Sequence, residues 1–463
     1  MVLREACGVI GVYTSSKAAP LIYLGLMELQ HRGQESAGIS TYNGHVMRTK
    51  KGMGLVTEVF RTVADFEGLE GAFGIGQVRY STAGSSTIEN AQPVVVKAPF
   101  GELAVAHNGN IPNADKMRSE ISKDGYKFTS TSDTEVIAHL IAQGSDVVDG
   151  IVLASKELVG SYSLTILTKD GFYAVRDPFG VRPMAIGVGE DGYCIASESC
   201  AFPPLDMGLL RDVKPGEIVF VQNRELVTAA QLPSKRRSHC VFELIYFARP
   251  DSIIDGVHVG NYRIALGRRL AERDSLAGFK ADGVAPLPYS GIMHEVGYQN
   301  ASGLPHNEVF MRKRFSHRSF TDPTFEGRRE KSEKKLAAIP DGAAGKSVVL
   351  VDDSIVRGTT TPWAVKQLKE KGGAREVHLR ITSPPLIHPC PLGIDIKTEE
   401  ELAANGKSVE DVRRMTGADS LMYQDKDDMV RETGFPESEL CLGCWTGKYP
   451  ALEREPIPLQ SSQ

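Results

Sequence analysis

Between residue 7 and about residue 230 the apolar positions fall in short runs closed by glycine or polar residues. Phe73-Gly-Ile-Gly-Gln-Val78, Leu103-Ala-Val-Ala106, Ser163-Leu-Thr-Ile-Leu167 and Glu217-Ile-Val-Phe-Val221 are such runs, and their length and punctuation predict strands. Helical spacing occurs over Ala18–Gln30 and after Ser132, where Val136, Ile137, Leu140 and Ile141 share a face. This half reads as sheets with helices laid against them. The cluster Gly71-Ala-Phe-Gly-Ile-Gly76 has no helix after it and reads as a turn, not a dinucleotide loop.

The texture changes beyond Pro233-Ser-Lys-Arg-Arg-Ser-His239, a basic stretch without periodicity that marks a boundary. Helical patterns then alternate with single apolar strands: a helix over about Asn261–Arg273, strands at Gly283–Pro286, Ser347–Val351 and Glu376–Ile381, and a helix from Pro362. That alternation predicts a parallel sheet with crossover helices, whose ligand sites lie at the carboxyl ends of the strands. No internal repeat, coiled coil or low-complexity tract interrupts it, and the chain beyond Pro450 reads as an irregular tail.

Length and charge narrow the picture. A chain of 463 residues is too long for one ordinary core, and the two textures make two domains. With 41% hydrophobic and 24% charged residues and no long apolar span, a membrane protein is excluded. A net charge of -5 argues against nucleic acid as partner, so any basic site must be local. Seven cysteines are sparse, and Glu5 interrupts the start where a secretory segment needs an unbroken apolar run. The expected setting is therefore the cytoplasm, with the thiols reduced, catalytic or metal-bound.

Cys7 stands apart, at the head of the strand pattern Gly8-Val-Ile-Gly-Val12. Taken alone it reads as a core cysteine. Its half also carries His31-Arg-Gly-Gln-Glu-Ser-Ala-Gly38, Gly76-Gln-Val-Arg79-Tyr-Ser-Thr82, Ala106-His-Asn108-Gly109-Asn110, Ser132-Asp133-Thr134-Glu135 and Arg176-Asp-Pro-Phe-Gly-Val-Arg-Pro183. In this order the motifs resemble the N-terminal-nucleophile, or class II, glutamine amidotransferase domain. The resemblance implies an αββα sandwich over residues 7–234 and a propeptide, residues 1–6, whose removal frees the α-amino group of Cys7 as base. It implies Cys7 as nucleophile, with the Asn108 side chain and the Gly109 N–H as oxyanion hole. Arg79 would hold the glutamine α-carboxylate and Asp133 its α-ammonium. The chemistry fits: opening a carboxamide takes a strong nucleophile, a base beside it and donors for the developing oxyanion. Outside these motifs Arg79 and Asp133 would read as members of surface ion pairs.

A second constellation is Val348-Val-Leu-Val-Asp352-Asp353-Ser354-Ile-Val-Arg357-Gly358-Thr359-Thr360-Thr361. An apolar strand ends in two carboxylates, a Gly/Thr turn follows, and Thr361 with Pro362 is placed to open the next helix. Backbone N–H groups and the helix dipole then converge on the turn, which suits a phosphate. The segment resembles the phosphoribosylpyrophosphate (PRPP) motif of type I phosphoribosyltransferases and lacks the Lys-Ser/Thr of a Walker loop. The resemblance implies PRPP binding by Asp352, Asp353, Ser354, Arg357, Gly358, Thr359, Thr360 and Thr361, with Mg2+ at Asp352, Asp353 and Ser290. The basic run Met311-Arg-Lys-Arg-Phe-Ser-His-Arg-Ser-Phe320, continued by Arg328, Arg329 and Lys331, reads by itself as a solvated loop. By resemblance it closes over pyrophosphate.

Cys240, Cys390, Cys441 and Cys444 form a third group, with one close pair and two distant thiols. Zinc, an iron–sulfur cluster or four core cysteines all remain open on spacing alone. Their contexts, Cys240-Val-Phe-Glu-Leu-Ile-Tyr-Phe-Ala-Arg-Pro, Ser383-Pro-Pro-Leu-Ile-His-Pro-Cys390 and Cys441-Leu-Gly-Cys444-Trp-Thr-Gly447, resemble the iron–sulfur branch of the glutamine PRPP amidotransferase family. That implies a structural [4Fe–4S] cluster, and leaves Cys194 and Cys200 to the core.

Together the halves resemble that family over nearly the whole chain: an α/β protein of two domains, the glutaminase sandwich followed by a type I phosphoribosyltransferase parallel-sheet domain over residues 240–450, with a tail over 451–463. The family implies formation of 5-phosphoribosylamine from PRPP, glutamine and water, ammonia passing internally, a homotetramer, and inhibition by purine nucleotides. Three departures stand out. Tyr289 takes the place of a usual Asp before Ser290, Arg312-Lys313-Arg314-Phe315 replaces Lys-Asn-Arg-Tyr, and Phe325 replaces Gln. They leave two alternatives: a divergent paralogue using another phosphosugar or nitrogen acceptor, or a PRPP- or nucleotide-binding regulatory protein.

Overall fold

The computed structural model describes residues 7–80, 85–234, 236–312, 336–396 and 398–453. Among the described residues the first half holds thirteen strands: β1 Gly8–Tyr13, β2 Ser36–Tyr42, β3 Met47–Met53, β4 Phe73–Arg79, β5 Val94–Ala98, β6 Gly101–Asn110, β7 Ser161–Leu167, β8 Phe172–Arg176, β9 Ala185–Gly189, β10 Gly192–Ala196, β11 Gly208–Asp212, β12 Glu217–Gln222 and β13 Glu225–Gln231. They form a sheet in the order β11-β9-β10-β1-β4-β2-β3 and a second in the order β13-β12-β8-β7-β6-β5.

Alternation along the central strands explains why they are apolar throughout. Val9 points with Ile75, Ala104, Ala106 and Phe172 into the layer between the sheets. Ile10 and Val12 point the other way, against Ile22 and Leu26 of the helix Ala18–Glu28. On the far side Leu103 and Val105 of β6 meet Val136, Ile137 and Ile141 of the helix Asp133–Ile141. Strands covered on both faces need no polar side, and the four layers are the expected αββα sandwich. Residues Gly71–Gly76, expected as a turn, instead run into β4. A side chain at Gly76 would strike the Ile22 methyl at 2.5 Å, so glycine there serves close packing under the helix and not chain reversal.

The second half is built on a parallel sheet of Gly283–Pro286, Ser347–Asp352, Glu376–Ile381 and Ser420–Tyr423, in that order. Val349 and Val351 face Leu270 and Tyr298 on one side, while Val348 and Leu350 face Ala364, Val365 and Leu368 on the other. The helix after the acidic pair starts at Thr360, with Thr359 as cap and no side-chain cap hydrogen bond. Thr361 is therefore inside the first turn and not its cap, and Pro362 falls at the third helical position, where an N–H has no intrahelical partner anyway.

Across the boundary His239–Cys240 pairs in parallel with Leu440–Cys441. Ala451, expected in a loose tail, is buried with Val181 and Leu392. Residues 1–6, the basic run from 313 to 331 and Phe325 lie outside the described residues. Among the described residues no helix is long and apolar enough to cross a membrane.

Candidate active site

Cys7 sits where β1 begins beside β4. Its thiol donates to the Tyr80 carbonyl at 3.3 Å, and the Tyr80 N–H donates back to Sγ at 3.4 Å. Burial pushes the thiol up, against the Tyr80 hydrogen bond and the Arg79 charge. A buried, protonated thiol becomes a nucleophile only with a base at hand.

The predicted partners gather round it from separate segments. Arg79 ends β4, is buried, and pairs with Glu35. Asp133 opens its helix, where the Ser132 hydroxyl caps by accepting the Thr134 N–H at 3.2 Å. Its carboxylate accepts the Ile111 N–H at 3.2 Å and lies 3.5 Å from His107 Nδ1. Burial raises the Asp133 carboxyl, but His107 and the hydrogen bonds outweigh it and hold the group below its ordinary value. It stays an anion, as a partner for an ammonium must.

Asn108 donates from Nδ2 to Ser197 Oγ at 3.3 Å, and its buried Oδ1 has no partner. Ser197 Oγ also accepts the Val9 N–H at 3.0 Å, which ties the strand behind the nucleophile to Asn108. A half-turn of the amide lets the Ser197 hydroxyl donate to Oδ1 and presents the NH2 group to an incoming oxygen. Gly109 has φ +154°, and a Cβ there would lie 2.0 Å from the Ser161 carbonyl oxygen. No other residue fits. Sequence reasoning missed His107 and Ser197; His107 stands inside a quoted motif, whereas nothing local to Ser197 marks it.

The acidic pair closes the central parallel strand. Ser290 Oγ donates to Asp352 at 3.0 Å, the Asp353 N–H donates to Asp352 Oδ1 at 2.9 Å, and the Ser354 hydroxyl donates to Asp353. Burial raises both carboxyls, and for Asp352 the Asp353 charge adds to it. Two crowded acids beside a hydroxyl fit a hard dication that keeps water and substrate phosphate as its other ligands. Among the described residues no three His, Cys, Asp or Glu side chains gather closely enough to hold an ion. The Arg357 guanidinium is occupied by Glu401 at 2.7 Å and the Asp395 carbonyl at 2.7 Å. Those bonds use Nε and Nη2, while the buried Nη1 has no partner among the described residues and stays available beside the turn. Tyr289 is 60% exposed beside Ser290.

The four cysteines of the second half lie in one region of the fold, although no three of them stand closely enough to hold an ion as placed. Cys240 and Cys441 are register partners, and Cys390 and Cys444 share a hydrogen bond that, more than any other influence, brings the Cys390 thiol down to about 7. Burial raises Cys240 to about 12. All seven cysteines are free, and Cys194 and Cys200 are buried in the core of the first sheet and its helix.

Residues 78–204 match a family model described as a glutamine amidotransferase domain. The chain is also 46% identical over 453 residues to amidophosphoribosyltransferase of Archaeoglobus fulgidus, covering 96% of this chain and 98% of the relative. The chain belongs to the amidophosphoribosyltransferase family. The Bacillus subtilis member is 41% identical, with 97% and 94% coverage. The solved structure of glutamine PRPP amidotransferase from B. subtilis, complexed with ADP and GMP, superposes with TM-score 0.89 at 39% identity, covering 97% of this chain and 99% of that one. A structure described as the allosteric regulatory enzyme of purine biosynthesis gives TM-score 0.88 at 40% identity, covering 96% of each chain. The amidophosphoribosyltransferase fold accounts for both halves, and the chain is a glutamine-dependent amidotransferase of the first step of purine biosynthesis.

Proposed function

We propose that glutamine is opened at Cys7 and that the ammonia released displaces pyrophosphate from C1 of PRPP beside Asp352 and Asp353, giving 5-phosphoribosylamine. What supports this reading is the buried Cys7 thiol with Arg79 on the neighbouring strand, Asn108 joined to the following Val9 through Ser197, and Asp133 within electrostatic reach. Once residues 1–6 are removed, the α-amino group of Cys7 takes the thiol proton and later returns it to the leaving ammonia. Sγ attacks the carboxamide, the Asn108 NH2 and Gly109 N–H receive the oxyanion, and water releases glutamate from the acyl-enzyme. Arg79 forks onto the α-carboxylate and Asp133 receives the α-ammonium. Residues 7–234 form the glutaminase domain and 240–450 the phosphoribosyltransferase domain.

In the second half the turn 354–361 orients PRPP through its 5′-phosphate. Asp352, Asp353 and Ser290 would hold Mg2+, which when bound would supply neutralising charge for the diphosphate. Cys240, Cys390, Cys441 and Cys444 are the thiols that would hold a [4Fe–4S] cluster, which would cross-link their chain segments when bound. Purine nucleotides act as inhibitors and the enzyme assembles as a cytoplasmic homotetramer, both in keeping with the family.

Anaerobically purified protein given glutamine, PRPP and Mg2+ tests the function. Glutamate and pyrophosphate released together, dependent on PRPP, are expected. Glutaminase indifferent to PRPP points to the paralogue, and no turnover to a binding protein. Iron and acid-labile sulfide at about four each per chain are expected; stoichiometric zinc overturns the cluster.

A further inference from the structure

Glu243 belongs to the second half, where it opens a π-helical turn, Glu243–Phe247, yet its carboxylate reaches into the first. Arg32 donates to it at 3.0 and 2.8 Å, and Arg182 donates to it at 2.8 Å. Each arginine also reaches a backbone carbonyl. Arg32 Nε donates to the Cys7 carbonyl at 3.0 Å. Arg182 donates to the Leu392 carbonyl at 3.2 and 2.7 Å, and the Ser161 hydroxyl donates to the same oxygen at 2.8 Å.

The segment carrying Leu392 backs the oxyanion strand. Asn110 Nδ2 donates to the Pro391 carbonyl at 2.8 Å. Gly393, at φ +101°, lies so close that a Cβ would stand 3.1 Å from the Gly109 carbonyl carbon and 2.7 Å from Arg182 Nη2. Arg32, Arg182, Glu198 and Glu243 are each at most 1% exposed. Glu198 completes the set as the second carboxylate on Arg32, so two cations and two anions balance. Such a group has little freedom to rearrange, because loss of one member leaves a buried charge unpaired.

We propose that Glu243 is a positioning residue for the glutaminase centre: it holds Arg32 on the Cys7 carbonyl and Arg182 on the segment behind Gly109, and so sets nucleophile and oxyanion donor at a fixed separation. The proposal rests on the roles given to Cys7 and Gly109. The glutaminase centre is thereby completed by a side chain from the phosphoribosyltransferase half.

The test is Glu243→Gln in the full-length enzyme, comparing glutamine hydrolysis with PRPP amination by free ammonia. A displacement of about 1 Å costs about a hundredfold in rate. The expected result is therefore a kcat for glutamine lower by about a hundredfold, with KM for glutamine and the ammonia-driven rate held within about twofold. Glu243→Asp should recover part of the loss. An unchanged glutamine kcat, a rise in KM alone, or equal losses in the two reactions overturns the proposal. Where Glu243→Gln does not accumulate folded, Gly393→Ala decides by the same readouts, since it keeps the charges but presses a methyl group on Arg182 and Gly109. Cys7→Ala run alongside separates the two levels: persistence of glutamine hydrolysis there overturns the nucleophile, not Glu243.

Discussion

At the thiol centre Cys7, Arg79, Asn108, Asp133 and Ser197 come from five separate segments, and they meet only because two sheets close face to face. At the acidic centre, residues 352–361 are one continuous strand end, turn and helix start, with Ser290 the main addition from elsewhere. The first site owes its geometry to tertiary packing, the second mostly to local backbone. Substitutions that disturb packing should therefore damage glutamine use first and leave the phosphoribosyl chemistry standing.

Cys7→Ala presses this contrast hardest. The glutamine-driven rate should fall at least about a thousandfold while the ammonia-driven rate persists, followed as glutamate and pyrophosphate release; collapse of both would mean the centres are not separable. Next is Asn108→Ala, which removes an oxyanion donor and should lower kcat for glutamine by about 3 to 4 kcal/mol in barrier, with little change in KM. Ser197→Ala leaves the Val9 N–H and Asn108 without their shared partner. A cost of about 1 to 3 kcal/mol is expected, visible in the melting temperature and in glutamine kcat but not in ammonia use.

The mildest test is the pH dependence of Cys7 alkylation by iodoacetamide. Because burial raises the thiol, the protonated form dominates at neutral pH and reaction tracks the small thiolate fraction. In a chain still carrying residues 1–6 the rate should climb without a plateau to beyond about pH 9, whereas after their removal the profile should bend near about pH 8, where an α-amino group titrates. Identical profiles for the two forms would remove the amine from the mechanism.

The same contrast governs what could be read from the chain before its structure. Asp352, Asp353 and the Gly/Thr turn could be singled out because one stretch supplies the acids, the turn and the helix, and there the helix start shifted from Pro362 to Thr360. Cys7, Arg79, Asn108 and Asp133 were legible through the order of their motifs, not through their spacing. Ser197 and Glu243 were not, since each matters through partners that folding alone supplies. The Gly71–Gly76 cluster misled for a related reason: its glycines answer to Tyr42, Ser40 and Ile22, neighbours in the fold and not in the chain.

The parallel bridge between Cys240 and Cys441 sets an order of assembly. Its two strands are separated by most of the second half, so the bridge closes only after the ribosome has delivered nearly the entire polypeptide. The sandwich, whose thirteen strands all precede residue 232, can be complete by then. The pairing of Cys240 with Cys441 therefore closes late, after the strands that carry Cys7 and Asn108 have been made.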